Sequence, residues 1–191
     1  MVELTSLWLP ILVSAAAIFF LSFLMWMVLP HHHKDHGALK DEDGLMSALR
    51  AQGVKPGLYA FPHCAGSAQM KDPEWMKKRD AGPSGFLNVC PASAWNLGAA
   101  LGKWFILLIV ICTTVAYAGT IALPAGAAYM TVFRLTGTCL LLAFCSNIIS
   151  DCIWKSHPAR PVLMHVFDGV LYALVAGGIF GWLWPEASLA L

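Results

Sequence analysis

Charge is scarce in this chain. Asp, Glu, Lys and Arg together make up 12% of 191 residues, where an ordinary soluble domain carries roughly 25%. Hydrophobic residues reach 58%. A water-soluble domain of this length has too little interior to hide that much apolar surface, which excludes a soluble globular protein. Basic–aromatic patterning of the nucleic-acid-binding kind is missing, so no nucleic-acid partner is expected. Missing too are a Cys-x-x-Cys pair, a His-Glu-x-x-His helix and a phosphate-cradling loop; "GPSG" at 82–85 has neither the spacing nor the lysine. No Ser-His-Asp or Cys-His order forms a triad. Cys64 follows His63, but neighbours in sequence are not thereby catalytic partners. These absences lean against an enzyme without deciding the matter.

What the chain does have is four apolar runs of bilayer-crossing length, about 20 residues each: Leu7 to Leu29, Trp104 to Leu123, Ala128 to Ile149 and Val162 to Trp184. The first is not read as a signal peptide. Glu3 is the only charge before it, the run is too long, and no small-x-small cleavage site follows. Pro10 falls in its first turn, where proline is tolerated. The fold class expected is an all-α membrane protein with four transmembrane helices. Its parts are helix one over 1–29, a small α+β cytoplasmic cap over 30–100, and helices two to four over 101–191.

Orientation follows from the cations. Nine of the twelve lie between runs one and two, from Lys34 to Lys103, and Lys155 and Arg160 lie between runs three and four. The N-terminus, the 119–127 turn and the C-terminal tail have none. An excess of Lys and Arg marks the cytoplasmic side, so both termini are expected in the periplasm of a bacterial inner-membrane protein. Cys64, Cys90 and Cys152 then face a reducing compartment, while Cys112, Cys139 and Cys145 are small apolar residues within helices; no disulfide is expected.

Residues 30–100 carry helix grammar twice. In "DEDGLMSALRAQG", Asp41 is an N-cap and Gly53 a stop. In "KDPEWMKKRDAG", Asp72 caps, Pro73 takes the first helical position and Gly82 stops. "GLYAFP" and "GFLNV" are β-prone pieces able to pair as a hairpin. Trp75, Phe61 and Phe86 are expected to anchor this cap on the membrane face.

In the fourth run Gly169, Ala173, Gly177 and Gly181 recur every four residues, a small-residue ridge for close helix packing, within the chain or with another subunit. Ser14, Ala15 and Ser22 form a weaker one in the first run. Two charges interrupt the runs, Arg134 and Asp168. By 1.5 Å per residue each lies about 9 Å into its run from opposite faces, which in a layer of about 30 Å leaves them more than 10 Å apart. An ion pair between them is therefore not expected. Arg134 is read as snorkelling outward or binding a lipid head group or neighbouring subunit. Asp168 shares its depth with His165, Asn147, Asp151 and Lys103. An intramembrane carboxylate is a functional candidate by default.

The same level collects "HHHKDH". His31, His32, His33, His36, His157 and His165, with Asp168, gather at the cytoplasmic boundary, and imidazole with carboxylate suits a divalent zinc, nickel or copper ion. Against this, consecutive residues on one helical turn diverge, and side chains facing water and head groups are the plainer account of the histidines. A haem ligand would need a histidine deep in a helix, and none is there.

Several stretches, "VLPHHHKD", "DEDGLMSALRAQGVKPGLYAFPHC", "MKDPEW", "GPSGFLNV" and "FDGVLYALVAGGIFGWLWP", resemble a family of small proteobacterial inner-membrane proteins. The resemblance spans about residues 28 to 185. It implies four membrane helices with a sizeable cytoplasmic segment, and it brings no activity and no catalytic residue. Three functional readings stand at this point. The first is a non-catalytic accessory or assembly subunit of a larger membrane complex, with lipids and other subunits or a second copy as partners. The second is a metal-binding membrane protein using the His/Asp cluster. The third is a quinone- or redox-linked enzyme with Asp168 and His165 as a proton relay. The first is preferred, since no catalytic frame is visible. Transport by a monomer is not expected, because no inverted repeat or continuous polar path is visible.

Overall fold

A computed structural model describes residues 2–92 and 96–187. The chain forms two compact units, Met1–His36 with Leu97–Leu191, and Gly37–Asn96. The boundaries differ from those expected at 30 and 100: residues 30–36, with most of the histidines, belong to the helical unit. Polarity begins at Pro30, but the chain turns back onto the helices before it leaves them.

The helical unit holds α1 (Trp8–Phe23), α4 (Leu97–Ala122), α5 (Tyr129–Lys155) and α6 (Ala159–Trp182). Each, counting the turns that extend α1 over Leu4–Val28, is long and apolar enough to cross a bilayer. Their outward faces are apolar as well: Trp8, Phe20, Ile106, Leu142 and Trp182 are all exposed. A helix greasy on every side with part of its surface uncovered fits lipid and does not fit water. The chain is a multi-pass membrane protein.

Two helices outrun their apolar stretches. The α4 helix starts seven residues before Trp104, and α5 continues six past Ile149. Helical hydrogen bonding does not stop where hydropathy falls. The end of α5 is held by an Asp151–Lys155 pair at 2.8 Å, four residues apart, and closed by Ser156 in the left-handed region at φ 53°.

Packing inside the unit follows small residues. The α6 ridge lies against α5: a Cβ added at Gly177 would be 3.1 Å from Gly137 Cα, and one at Gly169 would be 2.7 Å from Cys145 Sγ. Gly181 is equally close to the Tyr129 ring. The two helices run antiparallel, and the ridge is used within the chain. Along α1 the buried stripe is Leu7, Ile11, Ser14, Ala15, Ile18 and Ser22, a helical spacing of three and four. Phe19 meets Phe105 of α4 edge-on with centroids 5.4 Å apart, and the Trp104 indole donates to the Ser22 hydroxyl at 3.1 Å. At the far end the α4–α5 turn is tied to the residues after α6, since Gly126 N–H donates to Pro185 O and Trp184 Nε1–H to Pro124 O.

The other unit is a small α+β body: α2 (Glu42–Ala51), α3 (Pro73–Ala81) and an antiparallel hairpin of β1 (Gly57–Phe61) and β2 (Gly85–Val89), with Tyr59 opposite Leu87. The caps are those the spacing predicts. Asp41 accepts from Gly44 N–H and Asp72 from Glu74 N–H, while Gly53 and Gly82 stop the helices at φ 64° and 60°. Trp75 is used inside this unit, donating its indole N–H to His63 O at 2.9 Å. Phe61 and Phe86 are exposed. All six cysteines are free thiols.

Candidate metal centre

The centre is built where α1 ends. The last turn widens into a π-helical segment, Leu24–Val28, closed by a Leu29 N–H to Leu24 O bond at 2.9 Å. Leu29 is extended, and Pro30, unable to continue the helix, opens a tight 3-10 turn over Pro30–His32. The turn swings two histidines inward. His32 is 7% exposed, and His31 is partly covered.

Both meet Asp168, a residue 2% exposed in the middle of α6. His31 Nε2 lies 3.0 Å from one carboxylate oxygen and His32 Nε2 2.8 Å from the other. The second nitrogen of His32, Nδ1, faces Asp35 Oδ2 at 2.5 Å. Asp35 also receives Arg160 at 3.0 Å, and a second Arg160 nitrogen donates to His31 O at 2.8 Å. The Trp26 ring stacks on His32 at 4.0 Å with a 9° interplanar angle, and His165 closes the side at 5.2 Å.

The electrostatics follow from this list. A carboxylate only accepts, so an imidazole with a carboxylate on each nitrogen carries both protons. Burial opposes a charge on His32, but the bonds to Asp35 and Asp168 and their negative charge outweigh it, and its pKa is raised above 6.5. Burial likewise works against the Asp35 carboxylate. The bond from His32, with the charges of His32 and Arg160, wins, and its pKa falls below 3.8. The His32 ring and the Arg160 guanidinium thus face the Asp35 and Asp168 carboxylates, and His31 adds a further nitrogen at Asp168 Oδ1.

Two sets of three donors result, each with its atoms within 4.8 Å of one another: His31, His32 and Asp168, and His32, Asp35 and His165. The first fits a metal better. Two imidazoles and a carboxylate with one position left open is a familiar donor set for zinc and similar ions. With His32 Nε2 as ligand, Nδ1–H would still donate to Asp35, the outer carboxylate–histidine arrangement that orients metal-bound imidazoles. In the second set Asp35 is already held by Arg160. One turn beyond Asp168, the Tyr172 hydroxyl is buried with no hydrogen-bond partner, though Asp168 and Trp26 are its polar neighbours.

Of the expected candidates, the structure brings together His31, His32, His165 and Asp168. His33 and His36 are exposed and in neither set, as is His157, whose carbonyl accepts from Cys152 Sγ. The expected divergence of consecutive histidines thus describes His33 only, because the tight turn places His31 and His32 on one side. Asn147 and Lys103 are exposed, and Asp151 pairs with Lys155; none of them joins Asp168. Arg134 is exposed and makes no ion pair among the described residues. Sequence reasoning missed Asp35, Arg160, Trp26 and Tyr172. The three-residue spacing of His32 and Asp35 was the available signal for one of them.

Comparison with family models, curated proteins and solved structures finds no match to this chain.

Proposed function

We propose that this membrane protein binds a divalent transition-metal ion through His31 Nε2, His32 Nε2 and the Asp168 carboxylate, with Asp35 orienting His32. The observation that carries the reading is Asp168 itself: a carboxylate buried in a membrane-spanning helix, with one imidazole on each oxygen. The excess of cations at this end of the bundle supports a cytoplasmic location for the centre. Zinc, nickel and copper all suit imidazole with carboxylate. The reading is one of binding. The α6 ridge, which would have served an accessory subunit as a docking face, is packed against α5.

The test is metal analysis of the full-length protein, purified without a histidine tag and dialysed against zinc. About one ion per chain is expected in the wild type and in His33→Ala, with loss in the His31→Ala/His32→Ala double variant and in Asp168→Asn. A wild type that retains no ion, or a His33→Ala loss as large as that of the double variant, ends the proposal.

A further inference from the structure

The α5–α6 pair has a second feature, on its membrane-exposed side and separate from the histidines. A groove of about 270 Å³ runs between the helices, lined by Phe133, Gly137, Leu141, Val170, Ala173 and Leu174, with Arg134 and Thr138 at its edge. Its floor is open because Gly137 and Ala173 have almost no side chain, and its walls are hydrocarbon. Arg134 brings the one charge. The Thr138 hydroxyl is turned away from it, donating to the Arg134 carbonyl at 2.7 Å. Asp168, the only acid in α6, is committed to His31 and His32.

An arginine in an apolar span is costly, and it is kept where a counter-charge or the interface is in reach. Arg134 is five residues into α5 from Tyr129, roughly 7.5 Å along the axis. From that depth a long flexible stem reaches the head-group level. A cation at that level, heading a hydrocarbon-lined groove, is complementary to an amphiphile with an anionic head and an apolar tail.

We infer that this groove binds an anionic phospholipid, its phosphate on the Arg134 guanidinium and one acyl chain along the Gly137–Ala173 floor. Guanidinium and phosphate match in charge and in paired N–H donors, which a zwitterionic head group offsets with its own cation. The inference is independent of the metal reading, since it shares no residue with the histidine centre.

Native mass spectrometry of the full-length protein in detergent tests it, with phosphatidylglycerol and phosphatidylcholine of identical chains as probes. The wild type should retain phosphatidylglycerol preferentially. Arg134→Gln should reduce that retention at least about fivefold and leave phosphatidylcholine unchanged, while Arg134→Lys should keep part of the preference. Arg134 is exposed, so these variants should fold, which circular dichroism checks. Equal retention of the two lipids by the wild type, or of phosphatidylglycerol by Arg134→Gln, overturns the inference. So does competition by glycerol phosphate as effective as that by the lipid, which would mark a free-anion site. A dimer that Arg134→Gln converts to monomer with lipid retention unchanged would assign the groove to a second copy instead.

Discussion

Replacing His32 by alanine separates a buried charge network from a string of boundary histidines. In the structure the His32 ring links Asp168 and Asp35, whose side chains are each 3% exposed, through contacts of 2.8 and 2.5 Å. Removing one member of a buried ion pair costs about 3–5 kcal/mol, because the partner stays buried without compensation. Here neither carboxylate is fully abandoned: Asp168 keeps His31 and Asp35 keeps Arg160, each at 3.0 Å. The low end, about 3 kcal/mol, is the expected loss. For a folded chain of 150–250 residues, each kcal/mol moves Tm by about 2–4 °C, which gives a drop of about 6–12 °C. His33→Ala, one residue on and exposed, should stay within about 0.5 kcal/mol of the wild type. Tryptophan-monitored thermal unfolding in detergent, with a chelator present to keep the protein metal-free, reads both. If the two variants melt together, His32 is not in the network and the reasoning from its burial is wrong.

Asp35→Asn keeps the shape of the side chain but weakens its acceptance of the His32 Nδ1–H. Zinc affinity should fall about 10–100-fold, as for other outer partners of metal-bound histidines, and isothermal titration with a competing chelator measures it; an unchanged affinity removes Asp35 from the site. The pH dependence has a worked sign. Because the pKa of His32 is raised in the folded protein, its contribution to metal-free stability is full below 6.5 and is lost as pH climbs through the raised value. The lowered pKa of Asp35 gives a contribution present above 3.8 and lost as pH falls through its folded value. Metal binding must displace the proton on His32 Nε2, so apparent affinity should rise over the same upper range in which metal-free Tm declines, with release of about one proton per ion. Titration in buffers of different ionisation enthalpy counts that proton, and a release of none contradicts the ligand assignment.

The sequence showed the four spans and the small α+β unit because each rests on local signals: apolar length for the spans, and Asp41, Gly53, Asp72, Pro73 and Gly82 for the caps and stops. Helix ends were read short at Trp104 and Ile149, since hydropathy marks the edge of the apolar stretch and not the last hydrogen bond. The depth estimate put His31, His32 and Asp168 at one level, which is as far as linear counting goes. Their contact depends on a widened final turn, an extended Leu29 and Pro30 starting a tight turn, a local change of direction that linear counting does not carry. Asp35 and Arg160 were hidden for a related reason. Each looks like a surface charge in sequence, and only the turn-back brings together residues 125 positions apart. The partner of the α6 ridge was equally out of reach, because small residues announce close packing without saying against what.

A buried ionic network is not by itself a stability device. Well-packed apolar residues of similar volume hold helices together as well or better, and this bundle already does so with the Gly137–Gly177 approach between α5 and α6. A polar latch onto α6 is already made by His31 and His32 on Asp168. The centre has more than a latch requires: both imidazole nitrogens of His32 are engaged, and a second carboxylate with its own arginine stands behind the ring. Under the proposed metal reading, each has a place in a site that exchanges a proton for a cation. In that reading Asp168 brings a carboxylate to the ion, and Asp35, held by Arg160, orients the His32 ring.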